Sequence, residues 1–531
     1  MYKRTKTDEL NLAEAESCPS TSLKVEHFTL HLKDHLDLGK VRRLVTARQL
    51  SSSLRRVRAF CLLILLLATQ ARPTVAAPRQ RDYSAPAYRL SLQDEALLED
   101  ISRRSFRFFW ENADAYTGLV RDRARTDGST LDENHRNVAS IASTGFGLTA
   151  LCIAAEHRWV EPSEARERVR RTLRFFAEEL PHKKGWYYHF LNMQTGARVW
   201  GSELSSIDTT LLLGGVLTAR QYFRADKEIY RLATKIYERV DFPWMLNGHS
   251  TRLSMGWYPE TGFIKSRWDT YSEHTMLYLL AIGSPTHPLM PRAWYDWYRD
   301  WNTYKGYRFL GHAPLFTHQY SQAWVDFRNR REDKPPYVDY FENSIIATRA
   351  HREFCIDLAP EFPSYSENIW GITASDSARR DSETGYVAWG GPPRHPAIDG
   401  TVVPCAAGGS LMFTPDISMP ALRTMYEKFG DRIYGRYGFT DAFNPNTGWV
   451  NRDVIGIDVG ITLLSAENLR TGNVWYYFMR NQEIPHAMQL IGLNKVSPPT
   501  RRRAARSKRV RSVLSVRPRH YNAHVNFNNF K

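Results

Sequence analysis

Between about residue 140 and residue 470 the chain repeats one pattern: a polar loop rich in Asp, Glu, His and aromatic residues runs into a small-residue, apolar stretch. The apolar stretches are Ser143–Glu156, Ile207–Phe223, Tyr271–Ile282, Phe341–Asp357, Pro404–Phe413 and Gly460–Asn468. Amphipathic, charge-studded stretches precede or separate them at Gln93–Asn112, Ser163–Leu180, Asp226–Val240, His287–Trp301 and Ser418–Gly430. A helix apolar all round is buried, whereas an amphipathic one covers a core and faces water. The alternation therefore predicts an all-α fold with an inner and an outer ring of helices. This is an (α/α)6 barrel (toroid) whose polar loops gather at one mouth.

Charge changes this picture little. The net charge of +16 suggests a nucleic-acid binder until it is divided by region. Residues 501–531 carry +10 and residues 1–77 carry +6, which leaves 78–500 neutral. A neutral domain with basic ends gives no reason to expect nucleic acid in its site. The run Arg501–Arg519 has no apolar periodicity and is expected to be a solvated, disordered tail, or one that touches an anionic membrane surface or polyanion.

Arg55, Arg56 and Arg58 precede the apolar run Ala59–Ala68, and Ala71, Ala76 and Ala77 follow it. A basic start, an apolar run of about ten residues and small residues at a cleavage point make a secretory signal too short to span a bilayer stably. Export to the periplasm or the medium is the expectation, with cleavage after Ala71 or Ala76. An uncleaved anchor is the alternative. The mixed-charge segment ahead of the signal suggests a start site within Val41–Val57. The expected organisation is an extension at 1–54, a signal peptide at 55–77, a linker at 78–92, the main domain at 93–495 and a basic tail at 496–531. Cys152, Cys355 and Cys405 lack paired spacing and are read as buried thiols. No CxxC or HExxH stands out, so neither metal nor cofactor is expected. Gly214-Gly215 and Gly408-Gly409 fit no phosphate-loop pattern and are read as close helix packing.

The ordered motifs carry a resemblance. Ser140-Ile-Ala-Ser-Thr-Gly-Phe-Gly-Leu-Thr-Ala-Leu and Gly201-Ser-Glu-Leu-Ser-Ser-Ile-Asp-Thr-Thr-Leu-Leu-Leu-Gly-Gly come first. Trp268-Asp-Thr-Tyr-Ser-Glu-His, Gly283-Ser-Pro-Thr-His-Pro, Leu315-Phe-Thr-His-Gln-Tyr-Ser and Trp370-Gly-Ile-Thr-Ala-Ser-Asp follow. Ile398-Asp-Gly-Thr-Val-Val-Pro and Tyr437-Gly-Phe-Thr-Asp-Ala-Phe-Asn-Pro complete the set. Over roughly residues 95–490 the chain resembles the glycoamylase-like family, which includes the family 144 endo-β-1,2-glucanases. It also resembles the related module of cyclic β-1,2-glucan synthases. The resemblance implies a glycosidase acting on a β-glucan, most plausibly β-1,2-glucan, by inversion. A transglycosylase and a non-catalytic glycan-binding protein are the alternatives. One departure is visible: Ser377–Thr384 intervenes between Ser375-Asp376 and Gly385-Tyr386.

Glycoside hydrolysis needs one carboxylic acid to protonate the leaving oxygen and a second carboxylate as base or nucleophile. Glu203 sits in a polar loop just before an inner helix, where partial burial favours a proton donor. The resemblance points to the same residue. Asp399, Asp376 and Asp458 are the pool for the second carboxylate, with Asp399 ranked first. Ser205-x-x-Asp208 has capping-box spacing, so Asp208 either caps a helix or reaches the site. Glu273 is open to the same two readings. Trp186, Tyr187, Trp257, Trp268, Trp324 and Trp389 flank the acid-bearing loops and are candidate sugar platforms, since sugar faces stack on aromatic faces. His189, His318 and Gln319 are candidates to hold sugar hydroxyls. His274 is read in the same way.

Overall fold

The computed structural model describes residues 88–311, 313–378 and 385–496. The extension, the expected signal peptide and the basic tail lie outside the described residues. The first helix starts at Leu92 and the last strand ends at Lys495.

Helices carry the fold, and among the described residues every strand is only two to four residues long. The longer helices are α1 (Leu92–Glu111), α2 (Ile141–Glu156), α3 (Pro162–Arg174), α4 (Ser206–Tyr222) and α5 (Lys227–Glu238). They continue with α6 (Thr275–Gly283), α7 (Tyr340–Asp357), α8 (Pro404–Gly408), α9 (Pro415–Ile433) and α10 (Gly456–Arg470). Two further helices close the domain, α11 (Asn473–Phe478) and α12 (Glu483–Leu490).

Burial follows the sequence pattern. Every residue of α2 from Ile141 to Ala155 is buried, as is all of α6. In α3 only Ala165, Val169, Thr172 and Leu173 are buried, and in α5 only Ile229, Leu232, Ala233, Ile236 and Tyr237. These spacings make one apolar stripe per helix, with the charged remainder facing water.

Small residues let the inner helices touch. A Cβ at Gly145 would lie 2.3 Å from Leu211 O on α4, and one at Gly215 would lie 2.0 Å from Gly145 O. No side chain larger than a hydrogen fits at that crossing, so Ala at either position would push α2 and α4 apart. Gly214 gives the same room to the Trp324 ring, Gly408 to Thr462 and Gly409 to Gln319. The glycine pairs thus serve helix packing.

Two expected elements differ. The stretch His287–Trp301 forms only a short turn at Pro291–Tyr295 followed by a strand from Trp301. Pro288 and Pro291 remove backbone donors, and Trp294 and Trp297 turn inward, with the Trp294 indole donating to Glu332 Oε1 at 2.8 Å. The helix at Pro404 stops at Gly408 instead of running to Phe413. No described helix is long and apolar enough to cross a membrane.

Candidate active site

Polar side chains gather where short strands lead into the buried helices. Arg123–Arg125 pairs antiparallel with Asp453–Ile455, Val138–Ser140 with Phe190–Asn192, and Leu204–Ser205 with Gly256–Trp257. These pairings fix Asp122, His189, Glu203 and Asp453 at strand ends. The His189 amide also donates to the Glu203 carbonyl at 2.9 Å. Ser205 caps α4, its Oγ accepting from the Asp208 amide at 3.1 Å and donating to Asp208 Oδ2 at 2.5 Å. Ser205, not Asp208, is thus the cap: the Asp208 carboxylate takes the Ser205 hydroxyl, while the Ser205 amide donates to Tyr187 O.

His189 lies between two carboxylates. Its Nδ1 is 3.1 Å from Glu203 Oε1 and its Nε2 is 3.3 Å from Asp208 Oδ1. Ionised carboxylates only accept, so the arrangement is completed when both ring nitrogens carry protons. Burial opposes that charge, but Asp208 and Glu203 outweigh it and raise the His189 pKa to about 9. Glu203 is half-buried. Desolvation pushes its carboxyl up, while the hydrogen bond and charge of His189 overcome this and hold it below the usual range. Asp208 is more deeply buried, and desolvation raises it despite His189 and Ser205. The same three side chains are close enough to hold a divalent ion. A metal would take one ring nitrogen without its proton, whereas here both nitrogens face acceptors.

A second group stands across the loop that carries Asp122. Arg123 Nη1 is 2.9 Å from Asp376 Oδ2 and 3.4 Å from Asp453 Oδ2, and its Nε is 3.2 Å from Asp122. Burial works against this guanidinium, but the three carboxylates keep it firmly protonated. Asn451 Nδ2 donates to both Asp376 Oδ2, at 2.9 Å, and Asp441 Oδ2, at 2.8 Å, and the Asp376 amide donates to Asp441 Oδ2 at 2.9 Å. Asp441 and Asp458 are fully buried against each other. Desolvation, then mutual repulsion and the charge of Asp376, raises Asp441 well above the carboxylate range. Desolvation raises Asp458 to about 7. Asp441 Oδ1 and Asp458 Oδ2 find no donor among the described residues, and repulsion between the two carboxyls disfavours ionising both. Asp376 Oδ1 is likewise buried without a donor among the described residues. Asp122 joins the two groups, since its charge acts on His189 and Asp208 on one side and on Asp458 on the other.

The structure therefore brings together Glu203, His189, Asp208, Asp376 and Asp458, with Glu273 close enough to feel Asp208. Asp399 is elsewhere. Its Oδ1 accepts from the Thr401 amide at 2.9 Å and its carbonyl takes Asn444 Nδ2 at 2.9 Å, so it builds a turn.

Most of the aromatic candidates are corrected to core positions, because their faces are packed and their polar tips satisfied. The Trp186 indole donates to Asp241 O, the Tyr187 phenol to Phe176 O and the Trp324 indole to Thr149 Oγ1. The Trp268 indole donates to Ser206 Oγ and the Trp389 indole to Ser375 Oγ. All five rings are buried. Trp257 is half-buried, but it pairs across strands with the core residue Leu204, and strand side chains alternate, so it faces away from Glu203. Gln319 is buried and donates to Ala406 O and Ser410 Oγ, and His318 is buried beside Tyr271. His274 is also fully buried, its ring set among Trp268, Tyr278 and Trp297.

Asp122, Arg123, Asn451 and Asp453 were not singled out by the sequence, and neither was Asp441 as a site residue. Asp441 lies inside the quoted Tyr437–Pro445 motif, and Asp122 inside Arg121-Asp-Arg123. For Asp122, an acid flanked on both sides by arginine was the available signal.

Comparison with known proteins gives the same direction. The Glycoamylase family model ("Putative glucoamylase") matches residues 265–482. An exo-β-1,2-glucooligosaccharide sophorohydrolase (non-reducing end) of Parabacteroides distasonis is 29% identical over 451 residues. The match covers 77% of this chain, but the chain spans only 59% of that relative's length. The crystal structure of the Chitinophaga pinensis endo-β-1,2-glucanase with sophorotriose and glucose superposes with a TM-score of 0.69. It is 28% identical, and 76% of this chain and 99% of that one are covered. A β-1,2-glucanase from Parabacteroides distasonis gives a TM-score of 0.68 at 28% identity, over 77% of this chain and 61% of that one. The chain is thus similar over residues 265–482 to the Glycoamylase family model, and over most of its length to β-1,2-glucan hydrolases of Parabacteroides distasonis and Chitinophaga pinensis.

Proposed function

We propose that the protein is a glycoside hydrolase that cleaves β-1,2-glucan with inversion, inside an (α/α)6 barrel whose mouth is formed by the loops before α2, α4 and α10. The observation that carries this reading is the geometry on either side of Asp122: Glu203 and Asp208 on the two ring nitrogens of His189, and Asp376 held by Arg123 and Asn451. Similarity at 28–29% identity to β-1,2-glucan hydrolases supports the substrate.

Glu203 delivers the proton to the glycosidic oxygen. In the resting site that proton resides on His189 Nδ1, 3.1 Å away, so the imidazolium and carboxylate act as one donor: His189 passes its proton through Glu203 as the bond breaks. The base is Asp376. Its Oδ2 is held by Arg123 and Asn451, and its buried Oδ1 accepts from no described donor, so a water admitted beside Oδ1 with the substrate would give its proton there. The protonated Asp441–Asp458 pair sits behind Asp376 and limits the negative charge that must be buried there. Export through the 55–77 signal, and contact of the basic tail with anionic surfaces, belong to the same reading of an enzyme that meets its polymer outside the cytoplasm.

The test is incubation of the full chain with β-1,2-glucan, a β-1,3-glucan and an α-1,4-glucan, following reducing ends and the anomeric form of the first product. Cleavage of the β-1,2 polymer alone, with inverted product, is expected. Retained configuration would replace Asp376 as base by a nucleophile, and turnover of another polymer alone would overturn the substrate.

A further inference from the structure

The loop that delivers Glu203 carries a conflict between residue and backbone. Trp200 has φ +54° and Gly201 has φ +59°, and the Ser202 amide donates to the Val199 carbonyl at 3.1 Å. Both central residues of this turn lie on the left-handed side, as in a type I′ turn, where Asn-Gly or Gly-Gly is the natural choice. An indole at the first position is strained. Nothing in the core repays this strain, because Trp200 is 51% exposed.

The turn is nonetheless held firmly. Arg198 Nε donates to Ser202 O and its Nη2 to Gly201 O, each at 2.5 Å, while its Nη1 binds Glu260 Oε1 at 2.5 Å. The guanidinium also lies 4.9 Å over the Tyr188 ring. The indole meets His135 at 5.4 Å and Phe190 at 5.0 Å between ring centroids, both at steep angles. Phe190 in turn stacks on His189 at 3.8 Å. Trp200 therefore stands two ring contacts from the imidazolium that serves Glu203, and three residues, at most about 10 Å of chain, from Glu203 itself. Neither described ring lies flat on it. Strain fixed by a polar clamp, on an exposed aromatic at the rim of a site, marks function rather than stability.

We propose that Trp200 is a sugar-stacking platform, binding one glucopyranosyl ring of the β-glucan in the subsite beside Glu203. The inference rests on the glucan reading above. The apolar C–H face of a β-linked glucosyl unit would lie on the indole, and Arg198 would keep the platform from turning away as the polymer enters. Preorganisation of this kind lowers the ordering cost of binding.

The test uses the full chain carrying Glu203→Gln, so that ligand is bound without turnover, and measures calorimetric affinity for β-1,2-gluco-oligosaccharides together with Tm. Trp200→Ala and Trp200→Gly are expected to weaken binding about tenfold or more, and Trp200→Phe by less than about threefold. Trp200→Gly relieves the left-handed strain, so its Tm should equal or exceed the parent's. A structural role would lower Tm and leave affinity alone. Affinities of the Ala and Gly variants within about twofold of the parent would overturn the platform while the glucan reading stands. Failure of the Glu203→Gln parent itself to bind these oligosaccharides would overturn the glucan reading, and the platform with it.

Discussion

The two carboxylate groups on either side of Asp122 differ in where their positive charge sits. Around His189 the cation lies inside the group, touching both Glu203 and Asp208, and Glu203 stays ionised. Across the loop the cation lies at one edge. Arg123 reaches Asp122, Asp376 and Asp453 but not Asp441 or Asp458, and that buried pair keeps a proton instead. Burial alone does not set the charge of a carboxyl. Depth and neighbour act together: half-buried Glu203 is held low by His189, whereas Asp208, deeper beside the same imidazole, and the fully buried Asp441 and Asp458 are raised by desolvation.

The sharpest way to break this comparison is to remove the groups that move protons. Glu203→Gln keeps a hydrogen-bonding side chain beside His189 but cannot relay a proton, and should lower kcat about 10³-fold while the far-ultraviolet circular dichroism is unchanged. Asp376→Asn should cost about 10²-fold or more. The reverse assignment, with the Asp441–Asp458 pair as acid, predicts instead that Asp458→Asn is the more damaging change. Asp441→Asn with Asp458→Asn should be little worse than either alone, because the two carboxyls act as one protonated unit. Rates on β-1,2-glucan for these five variants decide between the patterns.

The second effect is on stability. Asp458 is raised to about 7 in the folded state from an ordinary 3.8, so the fold binds this proton more tightly than the unfolded chain does. The resulting stabilisation is complete below the ordinary value and is lost as pH rises through about 7. Asn at 458 never ionises. Asp458→Asn should therefore melt several degrees above the parent at pH 8 and close to it at pH 4. A variant that melts below the parent at both pH values would show that Asp458 stabilises the fold as an anion.

Much of the helical frame was legible because burial of a helix is written locally, in the all-round apolar character of Ile141–Ala155 and the single stripe of Ile229–Tyr237. The contacts of the site were legible only where a residue's partner is near in sequence. Ser205 and Asp208 are three residues apart, and His189 and Glu203 fourteen. Arg123 and Asp376 are separated by 253 residues, and no local pattern announces their ion pair. The tryptophans misled for a related reason. A Trp beside an acidic loop has the same neighbours in sequence whether its ring turns inward, as Trp186 and Trp389 do, or outward, as Trp200 does. Asp399 misled because the absence of a helix start left it without an obvious structural task, yet a two-residue turn onto Thr401 suffices.

The smallest effect separates the two groups most cleanly. His189 is raised to about 9 from an ordinary 6.5 by Asp208 and Glu203, against the pull of burial. Its contribution to stability is fully present below about 6.5 and disappears as pH rises through about 9. Asp458 loses its contribution in the preceding window, between about 3.8 and about 7. The parent's Tm should thus fall in two successive stages as pH increases. His189→Gln should flatten the upper stage and leave the lower one, whereas Asp458→Asn should do the opposite. Melting curves taken every half unit from pH 4 to pH 10 read both. If His189→Gln leaves the upper stage intact, the imidazole is not the cation between Glu203 and Asp208. A divalent ion held by the same three side chains becomes the better account, and a chelator should then lower the Tm of the parent but not of the variant.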